Sequence, residues 1–421
     1  MRLIAGADPT AGLCEKEDMS LTVIFRSPGI RPDAGDLAEA QRRGALITSE
    51  MEWFCDATPA DIFAVTGSDG KTTTTTLAHL FLREAGRRAY VGGNIGTPLL
   101  DRTLRMHAGD CAVLELSSFQ LMTMRGRARR AAITNISPNH LNWHTDMAEY
   151  TEAKYRVFGE KTETLVLNAK NALSAAATER FCGHVSFFTA HNTPEDTFAS
   201  LTGGRADCDL VFLRGDEIVR TDGQTEEVLL HRSEILLPGI HNVENYMTAM
   251  ALTFGCVPPE VYGRVARTFR GVEHRFELVR ELGGVRYYNS SIDSSPTRTA
   301  AALQNLNCPQ VVICGGRDKN IPFDTLAKAL FDRVKTVVLT GESAPKIAAA
   351  LAQEAAGRPD GGKSLQVIRA ETFEASVALA KEAASPGDAV ILTPACTSFD
   401  RFVNFEERGK YFKKLVMEFT E

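Results

Sequence analysis

The run Ala64-Val65-Thr66-Gly67-Ser68-Asp69-Gly70-Lys71-Thr72-Thr73-Thr74 constrains the fold of this 421-residue chain more than any other stretch. Before it, Ile62 to Val65 reads as a short buried strand. After it, Thr75 to Ala85 reads as a helix with Leu77, Leu80 and Phe81 on its buried face. A strand, a glycine turn and a helix carrying Gly-Lys-Thr make a phosphate cradle, because backbone N–H groups point inward and the helix N-terminus adds positive potential. Gly67, Ser68, Asp69, Gly70 and Thr73 belong to the cradle; Lys71 neutralises β- and γ-oxygens, and Thr72 is placed to ligate Mg²⁺. Val65 stands where the usual spacing puts its first glycine. The plainer reading, a glycine turn with a surface lysine, leaves the strand–turn–helix context unused.

A chain of 421 residues is too long for one ordinary core and predicts two or three domains. A net charge of −6 weighs against a general nucleic-acid binder, and the basic run Arg125 to Arg130 reads as solvated surface. The nine cysteines form no C-x-x-C pair and sit mostly in apolar runs, as reduced thiols of a cytosolic protein do. No stretch approaches the length of a membrane span. The expectation is a soluble cytoplasmic protein with no nucleic-acid or membrane partner and no obligate protein partner evident.

The chain reads as α/β in three blocks. Residues 1–58 hold a strand, Leu21 to Phe25, a turn at Ser27-Pro28-Gly29, a helix near 33–43 and a strand at 45–48. Residues 59–271 open with the phosphate loop. There, Cys111 to Leu116 and Ala131 to Asn135 read as buried parallel strands, and the alternation over 205–236 suggests an antiparallel annex. Residues 272–421 carry strands at Val311 to Ile313, Thr336 to Leu339 and Ala389 to Leu392 between alanine-rich helices, a second doubly wound domain. Gly361-Gly362 marks a loop.

In open α/β sheets ligands sit outside the carboxyl ends of the strands, which is where Glu115 and Asn135 fall. Given a phosphate loop, Glu115 is the leading Mg²⁺ ligand, the alternative being a strand-end cap. His140 either ligates metal or bonds a loop. Lys154, on a helical stretch, would by itself be called solvated. Gly315-Gly316-Arg317-Asp318-Lys319 makes an anion-binding turn plausible. The tail from Thr393 to Asp400 sets small donors beside aromatic residues. No G-x-S-x-G elbow or Ser-His-Asp order appears, so a hydrolase triad has no support.

Taken together these residues resemble the Mur ligase family, and most of all its D-glutamate-adding members. The matching motifs are Ser27-Pro-Gly-Ile30, Thr66-Gly-Ser-Asp-Gly-Lys-Thr-Thr73, Gly92-Gly-Asn-Ile-Gly-Thr-Pro98, Glu115-Leu-Ser-Ser-Phe-Gln120 and Asn139-His-Leu141. Gly239-Ile-His-Asn242 with Asn245, His274-Arg-Phe-Glu277, Gly315 to Lys319 and Ser398 to Gly409 continue them in family order. The resemblance implies a three-domain architecture: a shortened Rossmann-like first domain, a P-loop ATPase centre and a Rossmann-like C-terminal domain. It implies ATP-dependent ligation of D-glutamate to UDP-N-acetylmuramoyl-L-alanine through an acyl phosphate. By it, Lys71, Thr72 and Glu115 hold phosphates and a first Mg²⁺, His140 a second, and Lys154 is carried as a carbamate that ligates metal. Asn242, Asn245 and Arg275 would meet the nucleotide; Ser27, Asn94, Ser117 and Gln120 the UDP-sugar side; Lys319, Ser398, Phe399 and Phe405 the D-glutamate. It also implies that the C-terminal domain closes on the nucleotide.

Two departures stand out. Residues 1–20, with Gly6 and Gly12, offer no strand and glycine turn for the uridine diphosphate, so the chain is expected to start inside the first domain, with weakened UDP-sugar binding and an open sheet edge. Where the family usually carries an aspartate after Tyr287-Tyr288-Asn289, this chain has Ser290, with Asp293 as a candidate substitute. The alternatives are a sibling ligase, though no Asp-Asn-Pro-Arg is present, and a non-catalytic nucleotide-binding remnant.

Overall fold

The computed structural model describes residues 10, 18–141, 143–318, 321–358 and 365–420. The expectations resting on Gly6 and Gly12, on the Gly361-Gly362 loop and on Lys319 therefore lie outside the described residues. The chain divides into two compact units, one through Phe269 and one from Arg270.

In the first unit, β1 (Val23–Phe25) and β2 (Leu46–Thr48) pair in parallel as a two-stranded sheet, with the helix Leu37–Arg42 as crossover. Its small core is Met19, Ala40 and Ala45. The strand expected from Leu21 shortens to Val23 because Leu21 is 99% exposed and has no apolar neighbour to reward it. The main sheet has nine strands: β3 (Asp61–Thr66), β4 (Ala89–Gly93), β5 (Cys111–Glu115), β6 (Arg130–Ile133), β7 (Thr164–Asn168), β8 (His184–Thr189), β9 (Cys208–Arg214), β10 (Glu217–Thr221) and β11 (Glu226–His231). Their order is β11-β10-β9-β8-β7-β6-β3-β5-β4. Strands β3 to β9 are parallel, and β9, β10 and β11 turn antiparallel, so the annex extends the same sheet. Register sets Val65 beside both Glu115 on β5 and Ala132 on β6, so the ends of three strands open into one crevice.

The helix Lys71–Glu84 begins at the loop itself, four residues before the apolar pattern. Threonines are mediocre helix formers, but Thr72, Thr74 and Thr75 are buried here, and tertiary packing overrides propensity. This helix packs along the helix Ile240–Thr253, with the Phe81 ring 4.9 Å from Tyr262 and 6.1 Å from Tyr246. Arg130, expected as solvated surface, instead donates to the carbonyls of Leu252 and Phe254 at 3.2 and 2.6 Å. A strand-edge guanidinium satisfies backbone groups that the apolar neighbours cannot.

The second unit is a six-stranded sheet: β12 (Glu277–Leu282), β13 (Val285–Asn289), β14 (Gln310–Gly315), β15 (Thr336–Thr340), β16 (Gln366–Arg369) and β17 (Ala389–Leu392), ordered β12-β13-β17-β14-β15-β16. β12 runs antiparallel to β13, and the remaining pairs are parallel. The sequence marks β14, β15 and β17, which are fully buried apolar runs; β12 and β16 are the edge strands, where half-exposed polar residues mask the pattern, and the largely buried β13 is short and broken by Arg286. No described helix is long and apolar enough to cross a membrane.

Phe81 is fully buried between two helices of the first unit. Phe81→Ala should cost about 3–5 kcal/mol of unfolding free energy, read by urea titration of the tryptophan emission.

Candidate nucleotide and metal site

The phosphate loop is held in shape by its surroundings before any ligand arrives. Gly67 has φ +147°, and a Cβ there would lie 1.9 Å from Thr134 Oγ1; Gly70 has φ +78°, and a Cβ there would lie 2.2 Å from Asn245 Oδ1. Neither position admits a side chain without moving the neighbour. Ser68 N donates to Asn135 O at 2.8 Å, and Ser68 Oγ lies 2.9 Å from both Ser137 O and the Tyr150 hydroxyl. Asp69 N donates to Asn135 Oδ1 at 3.0 Å, and Thr134 Oγ1 donates to Asp69 O at 2.6 Å. The segment after β6 thus fixes the loop after β3. Asn245 reaches the same helix, accepting from Thr74 Oγ1 at 3.4 Å and donating to Asn242 Oδ1 at 3.2 Å.

Two lysines converge on this loop. Lys71 Nζ donates to Gly67 O and Ser68 O, each at 2.9 Å, and Lys154 Nζ donates to Gly67 O at 2.6 Å. Lys154 is only 1% exposed, on the helix Met147–Tyr155, with its amine 4.5 Å from the Tyr150 ring centroid. The plain reading of Lys154 as solvated is therefore corrected: the side chain points into the sheet's crevice. Burial pushes its amine well below the usual lysine range, and the charge of Lys71 adds to this, with Asp69 opposing.

Glu115 ends β5 and is 2% exposed. Its Oε1 accepts from Asn94 Nδ2 at 2.8 Å, while its Oε2 is buried with no partner among the described residues. An ionised carboxylate oxygen left bare is costly, and a hard divalent cation is the partner that removes the cost. The donor set therefore fits Mg²⁺. No three or more His, Cys, Asp or Glu gather as a metal site among the described residues. His140 is exposed, in the left-handed region at φ 56°, its ring 4.9 Å from Phe119. Ser117 and Gln120 satisfy each other as a capping box, Ser117 Oγ donating to Gln120 Oε1 at 2.8 Å.

Ser27 lies exposed in a turn that is organised by a residue the motifs overlook. The Arg26 guanidinium is buried and donates to the carbonyls of Ile30 and Pro28 and across to Phe119 O. An arginine directly before Ser-Pro-Gly is the only sequence signal for it.

In the second unit, Arg275 lies between His274 and Phe276, both with positive φ. His274 Nδ1 is 2.9 Å from Asn289 Nδ2, and the Phe405 ring is 6.2 Å from the His274 ring. Ser398 is buried, whereas Phe399 is 59% exposed. Ser290 Oγ donates to Asp293 Oδ2 at 2.6 Å, and Thr393 Oγ1 donates to the same oxygen at 3.2 Å. Burial raises the Asp293 carboxyl above its ordinary range. Gly315 and Gly316 let backbones approach: a Cβ on Gly315 would lie 1.7 Å from Thr340 O. Arg408, inside the Ser398 to Gly409 motif but given no role from sequence, ties these segments together, donating to Ser291 O at 2.9 Å and to Cys396 O at 3.2 Å. Burial brings its guanidinium down to about 10.

Known proteins resemble the chain at the level of both sequence and fold. Residues 65–253 match the Mur ligase middle domain, and residues 274–396 match the glutamate ligase domain of Mur ligases. The UDP-N-acetylmuramoylalanine–D-glutamate ligase of Acetivibrio thermocellus is 44% identical over 396 residues, covering 94% of this chain and 82% of the relative. The enzyme of the same name from Symbiobacterium thermophilum is 44% identical over 397 residues, covering 94% and 83%. Among solved structures, a UDP-N-acetylmuramate–alanine ligase from Thermotoga maritima superposes with TM-score 0.57 at 18% identity, over 94% of this chain and 85% of that one. A UDP-N-acetylmuramoyl-L-alanyl-D-glutamate–2,6-diaminopimelate ligase does so with TM-score 0.57 at 18% identity, over 94% and 95%. At that identity the structures speak for the fold alone.

Lys71 opens the helix at the phosphate loop, and its amine donates to the carbonyls of Gly67 and Ser68. Lys71→Ala should lower nucleotide-dependent turnover on the order of 10²-fold or more, with circular dichroism unchanged; phosphate release measures it.

Proposed function

The chain belongs to the Mur ligase family, and on that premise we propose that it joins D-glutamate to UDP-N-acetylmuramoyl-L-alanine at the expense of ATP. It is an ATP-dependent ligase that forms a C–N bond between an acid and an amino acid, in peptidoglycan precursor synthesis. The γ-phosphoryl group of ATP passes to the carboxylate of the UDP-sugar substrate, giving an acyl phosphate and ADP. The amine of D-glutamate attacks the carbonyl carbon, phosphate leaves, and the nitrogen gives up a proton. We place the reaction in the cytoplasm, with residues 1–58 on the UDP-sugar, 59–271 on ATP and 272–421 on the amino acid.

Glu115 carries this reading: a buried carboxylate with one oxygen held by Asn94 and the other without a partner, at the strand end beside the phosphate loop. Thr72, Glu115, His140 and Lys154 would hold two Mg²⁺ ions, which when bound neutralise the phosphate oxygens and polarise the transferring group. Lys71 supplies the fixed positive charge, and Gly67 to Thr73 with Asn242, Asn245 and Arg275 hold the nucleotide. Ser27, Asn94, Ser117 and Gln120 face the UDP-sugar. Lys319, Ser398, Phe399 and Phe405 take the D-glutamate.

Lys154 acts as a carbamate. A buried amine that has lost its proton is a nucleophile, so its nitrogen attacks CO₂, an N–C bond forms, and a proton leaves to solvent. The product is an anionic oxygen donor where an ammonium beside Mg²⁺ would be repelled by several kcal/mol at an effective dielectric near ~20. Support comes from the shared Gly67 acceptor, since two ammonium groups on one carbonyl oppose each other.

Phosphate release should depend on both UDP-N-acetylmuramoyl-L-alanine and D-glutamate. Release that ignores D-glutamate, or prefers another amino acid, points to a sibling ligase. Lys154→Ala should be inactive and partly rescued by acetate; full activity without rescue removes the carbamate.

A further inference from the structure

The turn Ser27–Ile30 is fastened from outside as well as from within. Arg31, the next residue, leaves its own loop: Nη2 donates to Glu149 Oε1 at 2.9 Å and Nη1 to Glu149 Oε2 at 3.1 Å, while Nη1 also donates to Trp143 O at 2.6 Å. Its Nε holds Asp33 at 2.8 Å. Trp143 returns the contact, its Nε1 donating to Gly29 O at 3.1 Å, and the Arg31 guanidinium carbon lies 5.1 Å from that ring's centroid. Glu149 stands in the first turn of the helix Met147–Tyr155, the helix that carries Lys154. The same carboxylate accepts from Thr145 N at 2.9 Å and meets His144 Nδ1 at 3.1 Å; His144 Nε2 in turn lies 2.9 Å from Ser118 Oγ, three residues after Glu115. One carboxylate thus joins the turn, the loop that follows His140, and the segment after β5.

The pair is stronger than a surface ion pair. It is bidentate, each side chain is only 23% exposed, and the residues are separated by 118 positions, so it closes a long loop rather than decorating one. The Arg31 fork holds the Glu149 carboxyl down to about 2, and burial keeps the His144 ring below its usual range, hence neutral near pH 7. The carboxylate charge is therefore answered by Arg31 rather than by the histidine. The phosphate loop's own fastenings, Ser68 to Asn135 and Thr134 to Asp69, do not involve Arg31.

We propose that Arg31 is a positioning residue: through Glu149 it registers the turn Ser27–Ile30 against the loop of His140 and the helix of Lys154, so that the UDP-sugar is presented to the phosphoryl-transfer groups in one frame. This rests on the reading above in which that turn faces the UDP-sugar. The effect falls mainly on one substrate, because the bonds from Asn135 and Thr134 that shape the phosphate loop do not pass through Arg31, and Tyr150 on Ser68 is the one link they share with its helix.

Arg31→Ala, Arg31→Lys, Glu149→Gln and the Arg31→Ala/Glu149→Gln double variant test it in the full chain. Arg31→Ala should raise the KM for UDP-N-acetylmuramoyl-L-alanine about tenfold or more and leave the KM for ATP within about twofold. Arg31→Lys, which keeps the charge and loses the fork, should recover only part of this. The double variant should be no worse than Arg31→Ala, since both changes remove one interaction. In a Trp53→Phe background Trp143 is the sole tryptophan, and its emission should shift to the red in Arg31→Ala before any substrate is added. An Arg31→Ala enzyme with both KM values unchanged, or both raised alike, overturns the proposal, as does an additive double variant or an unshifted emission. A wild type that releases phosphate without needing the UDP-sugar sinks the reaction reading itself and is told apart by that measurement.

Discussion

Two lysine amines share one backbone oxygen, that of Gly67, and the chemistry of the first unit depends on how that conflict resolves. Both cannot remain charged cheaply: Lys154 is sealed from solvent, whereas Lys71 opens the helix and is half-buried. Desolvation and the neighbouring charge of Lys71 both act on Lys154 and weaken its hold on a proton. One amine is half-buried at the start of a helix and the other is sealed in the crevice, though the two side chains differ in nothing but their place in the fold.

The nine-stranded sheet exists, from the site's viewpoint, to enforce that meeting. β3 lies between β5 and β6, so the phosphate loop, Glu115 and the Thr134–Ser137 segment leave neighbouring strand ends together. The helix with Lys154 is then drawn over the loop by the Tyr150 hydroxyl on Ser68. Glycines at 67 and 70 are required because Thr134 and Asn245 occupy the space where a Cβ would go.

Each unit also holds its loops with a buried arginine that donates to several neutral carbonyls: Arg26 around the Ser27 turn, and Arg408 between Ser291 and Cys396. Burying a guanidinium costs free energy, and carbonyl dipoles repay it only when several are aimed at once. Such residues specify loop geometry. Exposed pairs such as Arg214 with Glu217 contribute little beside them.

The local pattern alone determined the phosphate loop, its flanking strand and helix, the strand-end position of Glu115, and the central strands β14, β15 and β17. All are set by nearest-neighbour chemistry: glycine φ, apolar runs and turn residues at fixed offsets. Tertiary structure decided what depends on distant partners. Lys154 looks solvated on its own helix, and only the sheet's crevice buries it. The bare oxygen of Glu115 is invisible until Asn94 is seen to satisfy the other one. β12 and β16 stay hidden because edge strands need apolar residues on one face at most, and β13, one strand in, because Arg286 and Asn289 interrupt its short apolar run. Arg31 and Glu149 lie 118 residues apart, and no local rule pairs them. A sequence states which groups are available; burial and long-range contact decide which of them meet, which are sealed from water, and which polar atoms stay without a protein partner.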